Sequence, residues 1–293
     1  MNPSPRARPL QLGDAVAPVA ASSALSHPER LQQGLAILNS WGLECLPAPG
    51  IDRHWGYLAG TDDQRRCDLQ VSAPLLACAR GGWGAARLLE GTLPWQPGWL
   101  LGFSDVTALL WARLSAGFDG NVHGPMLTTL PGEPSWSQER LHNLLFGASV
   151  EDLHGEGLGG GDATGPLVVA NLTVATHLLG SRHLPDLRGA ILILEDVGEA
   201  PYRLDRMLTH WRLCGELQKL AGIGFGNFEG CGDTEDPSGL VFDTETVIRE
   251  RTADLCIPRV RDLPVGHRPG NAALPLGRIA RLDGDRGKLS LLP

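Results

Sequence analysis

A serine at a corner, a glycine-rich turn, a pair of acids and a histidine are the groups in this chain best suited to do chemistry. In Leu100-Leu101-Gly102-Phe103-Ser104-Asp105-Val106-Thr107-Ala108-Leu109-Leu110-Trp111, an apolar run with the character of a buried strand reaches Gly102. Apolar positions then recur at helical spacing directly after Asp105. Ser104 therefore falls in a strand-turn-helix corner. There the hydroxyl stands clear of the sheet edge, the positive end of the helix points at it, and the Asp105 N–H can face a developing oxyanion. Such a corner serves a nucleophile, and it equally serves a serine that caps the following helix. Val106 stands where the usual nucleophile turn has a glycine two residues after the serine.

Arg80-Gly81-Gly82-Trp83-Gly84 follows the apolar run Leu75 to Ala79. Free N–H groups at the carboxyl end of a parallel sheet bind ligands, although glycines there also make an ordinary tight turn. The segment is no phosphate loop, because neither Gly-x-Gly-x-x-Gly nor a terminal Gly-Lys-Ser/Thr is present. Asn121-Val122-His123-Gly124-Pro125 reads as a polar turn able to reach the same sheet edge, with His123 either a ligand group or a satisfied structural one. Glu195 and Asp196 come at the end of the strongest strand, Gly189 to Leu194; they can enter a cleft, or Asp196 can cap a helix. His267 sits in a loop bounded by proline and glycine.

A net charge of -8 without blocks of like charge argues against nucleic acid and against an anionic membrane surface. No secretory segment develops after the proline- and arginine-rich start, and no apolar run approaches the ~18 residues of a membrane span. Six cysteines without any C-x-x-C pair fit reduced thiols in the cytoplasm, and no His, Cys and acid cluster has metal-ligand spacing, so neither a metal nor another cofactor is expected.

The elements that must position these groups read as two α/β units. A strand from Asp14 to Val19, a helix from Pro28 ending at Gly42 and a strand from Leu43 to Leu46 form a β-α-β opening, which implies a parallel sheet. A capped helix begins near Gly60-Thr61, and another spans Gln138 to Phe146. The glycine-rich stretch 151–166 reads as a flexible linker between an N-terminal domain, 1–150, and a C-terminal domain, 167–293. The second domain offers a helix through Leu179, Tyr202 to Leu213, a strand from Ala221 to Phe228, an acidic loop with Asp233, Glu235 and Asp236, a helix from Phe242 to Arg251, and two closing antiparallel strands, Arg278 to Leu282 and Lys288 to Leu291.

Taken in order, Leu12-Gly13-Asp14, Arg80 to Gly84, Gly102 to Thr107, His123-Gly124-Pro125, Leu194-Glu195-Asp196, Pro201-Tyr202 with Asp205-Arg206, and Gly266-His267 with Pro275-Leu276-Gly277 resemble the LD-carboxypeptidase family of serine peptidases. That family also holds the microcin C immunity proteins. The resemblance implies an N-terminal Rossmann-like or flavodoxin-like parallel-sheet domain and a C-terminal α/β domain with a mixed, partly antiparallel sheet. It implies a triad assembled across their junction: Ser104 as nucleophile, His267 as general base and Glu195 orienting the histidine. The oxyanion hole would use the N–H groups of Asp105 and Gly82, and Trp83 and His123 are candidates to touch substrate. The implied reaction releases the terminal D-alanine of a murein tetrapeptide, in a cytoplasmic homodimer. A peptidyl-nucleotide hydrolase of the immunity type and a non-catalytic two-domain binding protein are the competing readings. Trp83 replaces the more usual tyrosine, and Val169-Ala170-Asn171 stands where two glycines normally precede the asparagine; both departures bear on substrate range. Arg80, Arg203 and Arg268 lie close to these motifs in the sequence and are candidates to meet a free carboxylate, or serve as surface or structural arginines.

Overall fold

The computed structural model describes residues 7–47, 50, 53–232 and 242–292. The chain divides into two units, one of Met1–Glu151, Arg182–Pro185 and Pro269–Gly277, the other of Asp152–Ser181, Asp186–Arg268 and Arg278–Pro293.

The first unit alternates β1 (Ala15–Val19), α1 (Pro28–Ser40), β2 (Glu44–Cys45), α2 (Asp62–Asp68), β3 (Leu75–Cys78), β4 (Trp99–Gly102), α3 (Thr107–Ser115), β5 (Asn121–His123) and α4 (Ser135–Leu145). Its strands lie in the order β2-β1-β3-β4-β5, all parallel, which is the flavodoxin-like doubly wound arrangement. A sixth strand from far along the chain, β12 (Leu274–Leu276), adds antiparallel to β5. The reasons are local. Every residue of β3 and β4 is buried, as strands covered on both faces must be. β2 pairs only with Ala15 and Val16, so Pro18, whose missing N–H would break a ladder, lies past the end of that neighbour. Pro28 opens α1, and Leu31, Leu35 and Leu38 are buried on one face, each worth about 1.5–3 kcal/mol relative to exposure. Thr61 starts α2 with a capping box closed by Gln64.

The second unit is an eight-stranded mixed sheet made of β6 (Leu153–His154), β7 (Glu156–Gly157), β8 (Asp162–Asn171), β9 (Ile191–Val197), β10 (Gly222–Glu229), β11 (Arg259–Arg261), β13 (Ile279–Asp283) and β14 (Lys288–Leu291), in the order β6-β14-β13-β8-β9-β10-β11-β7. The strands β8 to β11 are parallel and the flanking ones antiparallel. Its helices are α5 (Leu172–His177), α6 (Pro201–Leu213) and α7 (Thr244–Thr252).

Three expectations change. The stretch 151–166 is not a linker: it carries β6, β7 and the start of β8, whose polar and glycine-rich residues hold place through backbone pairing to β14, β11 and β13, with Leu153 adding a buried side chain. Asn121–His123 is a buried strand, not a turn. Glu195 and Asp196 lie inside β9 and are buried there, not beyond its end. The acidic loop with Asp233, Glu235 and Asp236 lies outside the described residues. No helix among the described residues is long and apolar enough to cross a membrane.

Candidate active site

In a doubly wound sheet the ligand crevice opens at the carboxyl ends of the strands where the order reverses, here between β1 and β3. Ser23 follows β1, the glycine turn follows β3 and Ser104 follows β4, so three segments arrive at that edge. Ser104 is half-buried and holds φ at 60°, a conformation L-residues rarely adopt outside turns and strained sites. It opens a short 3₁₀ turn, Ser104–Val106, that runs into α3.

The glycine that the usual pattern has two residues before the serine is present as Gly102, and a side chain there would place its Cβ 2.6 Å from Val106 Cγ1, so Gly102 is what leaves room for Val106. The glycine turn lies against Ser104, since a Cβ on Gly81 would come within 3.1 Å of both Ser104 Cβ and Oγ. Around it the neighbouring donors are engaged: Trp83 N–H donates to Ser23 Oγ at 3.0 Å, and Ala85 N–H to Asp105 Oδ2 at 2.8 Å. Burial pushes the Asp105 carboxyl up, against the pull of Ser22, the Ala85 and Gly84 N–H groups and the positive Arg65.

In the second unit His267 Nδ1–H donates to Glu195 Oε2 at 2.7 Å. The carboxylate has no exposed side-chain surface and the imidazole keeps 19% of its own. Burial alone would pull the His267 pKa down; the hydrogen bond and charge of Glu195, with Asp196 behind it, outweigh that and hold it above the ordinary histidine value. A carboxylate at Nδ1 keeps a proton there and leaves the Nε2 lone pair as the basic position. Glu195 pairs in register with Asn171 on β8. Asp196, which the sequence suggested as a helix cap, holds a helix in a related way. It accepts from Asn171 Nδ2 at 3.0 Å and from the N–H and hydroxyl of Thr173 at 2.9 and 2.8 Å, tying the first turn of α5 to β9.

The structure thus brings Glu195 to His267 within one unit, and Ser104 to Gly81 and the Asp105 carboxylate to Ala85 within the other. His123 is fully buried with its ring 5.7 Å from that of Phe103, so it is not open to a substrate as the chain stands. Trp83 is 51% exposed and meets Tyr57 edge-to-face at 5.4 Å, while Arg87 lies over the exposed Trp55. Among the candidate cations, Arg80 donates to Ala24 C=O at 2.8 Å and Arg203 pairs with Glu199. Arg268 pairs with Glu229 and lines a cavity of about 360 Å³ with Phe225, Phe228 and Ile248, which neither Glu195 nor His267 lines. Arg65 and the Asp105 side chain escaped the sequence reading, since nothing in an arginine midway along a short polar helix marks it as fully buried.

Comparison with known proteins adds a lineage to this geometry. Residues 16–124 match the LD-carboxypeptidase N-terminal domain and residues 164–282 the LD-carboxypeptidase C-terminal domain. A Synechocystis protein provisionally named a carboxypeptidase is 48% identical over 294 residues, covering 97% of this chain and 96% of its own. The murein tetrapeptide carboxypeptidase of Pseudomonas aeruginosa is 34% identical over 298 residues, covering 92% of this chain and 94% of its own. The solved structure of the microcin C7 self-immunity protein in its wild-type apo state is similar in fold, with a TM-score of 0.86 at 20% identity over 99% of both chains.

Proposed function

The chain belongs to the LD-carboxypeptidase family and is a serine-type carboxypeptidase, and from that premise we propose that it removes the terminal D-alanine of murein tetrapeptides through Ser104, His267 and Glu195. The observation that carries this reading is the 2.7 Å contact between His267 Nδ1 and the buried Glu195 carboxylate. A buried acid facing the far nitrogen of a partly open imidazole is the arrangement a general base needs.

In the proposed mechanism His267 Nε2 takes the Ser104 hydroxyl proton as Oγ attacks the carbonyl of the diamino acid. The oxyanion that forms is received by the N–H groups of Asp105 and Gly82, and Glu195 steadies the imidazolium. His267 then returns the proton to the departing amine, D-alanine leaves, and water attacking the acyl-enzyme by the same relay frees Ser104. The reading includes a cytoplasmic homodimer acting in peptidoglycan recycling, on peptides released from murein.

Incubation with a murein tetrapeptide, followed by mass spectrometry, is expected to yield tripeptide and free D-alanine. An intact tetrapeptide after prolonged exposure to folded enzyme overturns the substrate. The exposed Trp83, Tyr57 and Trp55 favour one second reading, a peptidyl-nucleotide hydrolase whose substrate base stacks on a ring. Cleavage of a peptidyl nucleotide in preference to tetrapeptide would select it.

A further inference from the structure

Two buried charges in the first unit grip a single peptide group. Arg65 on α2 is fully buried, and its Nη1 donates to Gly84 C=O at 2.8 Å and to Ala21 C=O at 2.5 Å, while Nη2 reaches Asp62 at 2.5 Å. Asp105 is 4% exposed, and its Oδ2 accepts the Ala85 N–H at 2.8 Å. Gly84 C=O and Ala85 N–H are the two ends of one peptide bond. A guanidinium therefore holds one end and a carboxylate the other, from elements far apart in the sequence.

Burying two ions to fasten an ordinary turn is an expensive solution, and this turn is held at its other side as well. Trp83 N–H is fixed on Ser23 Oγ, and Gly81 lies against the Ser104 side chain. Gly84 has φ at 114°, and a Cβ there would come 3.0 Å from Arg65 Nη1, so the peptide is seated closely on the guanidinium. Gly82 is left between two anchored points, with its N–H in the stretch that borders the nucleophile.

We propose that Asp105 and Arg65 are positioning residues which, by clamping the Gly84–Ala85 peptide, set the separation of the Gly82 and Asp105 N–H groups that receive the oxyanion. Asp105 then acts twice, through its backbone as a donor and through its side chain as the strut that aims the other donor. The physical need is tight, because such donors work only within about 2.7–3.1 Å of the developing charge. The inference rests on the reading of Ser104 as nucleophile.

The test compares Asp105→Asn and Arg65→Met in the full chain. The first removes the carboxylate charge. The second deletes the guanidinium that holds Gly84 C=O while leaving the Asp105 carboxylate and the Ala85 N–H intact. Each is expected to lower kcat on tetrapeptide on the order of 10- to 100-fold with KM within about twofold, and to slow phosphonylation of Ser104 by a fluorophosphonate to a similar degree. The rate ratio between the peptide and its thioamide at the scissile bond should shrink, because sulfur fits the oxyanion site poorly only while that site is well formed. Unchanged kcat in either folded variant overturns the strut, as does a loss that leaves the ratio unmoved, which marks a merely structural role. Ser104→Ala, run alongside, separates the failures. If it abolishes turnover while the strut variants keep theirs, only the strut falls; if it retains turnover, the nucleophile reading falls first.

Discussion

The two units present their chemical groups by different means. Around Ser104 the ordered parts are backbone: a residue held at φ of 60°, a glycine close against its side chain, and the Ala85 N–H fixed on the buried Asp105 carboxylate. Around His267 they are side chains, a carboxylate with no exposed surface and an imidazole 2.7 Å away, steadied by strand register and by the Asn171, Asp196 and Thr173 cluster. A backbone device survives any side-chain substitution short of proline and is otherwise only displaced through what holds it. A side-chain device is removed by a single atom change. Mutational sensitivity should therefore be sharp in the second unit and graded in the first, with the serine hydroxyl as the exception.

That exception gives the largest expected effect. Ser104→Ala removes the attacking atom and should lower turnover on the order of 10⁴- to 10⁶-fold while abolishing fluorophosphonate labelling, read by intact-protein mass spectrometry. Retained labelling at a different residue would move the chemistry away from this corner altogether.

Glu195→Gln tests the side-chain half and should cost on the order of 10²- to 10⁴-fold in kcat, with the fold intact by circular dichroism. Its pH signature follows from the direction of the His267 shift. The base works only when neutral, so kcat/KM rises with pH through the His267 pKa, and Glu195 holds that pKa above the ordinary histidine value. The acid limb of the wild-type profile should lie correspondingly high. In Glu195→Gln the negative charge that favours the imidazolium is gone, and the limb should move to lower pH even as the maximum falls. A limb that stays in place would separate Glu195 from the base.

The same contrast explains what could be read without a structure. The Ser104 corner was legible because it is local: a strand, a turn and a helix within a dozen residues, with periodicities that change at Asp105. So were the β-α-β opening and the capping box at Thr61, whose partners lie three residues apart. The separation of 72 positions between Glu195 and His267 carries no periodic signal, and only the family resemblance joined them. Short strands failed for the same reason. Leu274–Leu276 is three residues long and pairs with Asn121–His123, so neither segment shows an alternating pattern of its own. The glycine-rich stretch 151–166 looked unable to build a core and indeed builds little; it is ordered by ladders whose other strands appear more than a hundred residues later.

The graded response of the backbone half is best seen at Gly102. Gly102→Ala sets a methyl 2.6 Å from Val106 Cγ1 and 2.9 Å from its Cβ, so the corner must shift. Overpacking of this kind typically costs about 1–3 kcal/mol, and the displaced serine should lose activity by about one to two orders of magnitude. Adding Val106→Ala removes the closer atom, and the double variant should recover part of both losses in thermal unfolding and in kcat. Recovery of stability without recovery of kcat would mean that Val106 itself, not merely the space it fills, sets the serine.

The smallest effect concerns recognition. Trp83 is half exposed and makes one edge-to-face contact with Tyr57, so Trp83→Ala should change stability by no more than about 1 kcal/mol. Its backbone N–H, which bonds Ser23 Oγ, survives the substitution, so the glycine turn and kcat should hold. What changes is the ring face that the glycine turn presents. A tetrapeptide has no aromatic group to lay on it, and kcat/KM for that substrate should move less than about threefold. A stacked base is worth about 1–3 kcal/mol, so a peptidyl nucleotide should lose about 5- to 150-fold through KM. Measuring both substrates on one variant therefore separates chemistry from recognition: a common loss would point to a disturbed turn, whereas a loss confined to the nucleotide would assign the ring to substrate choice.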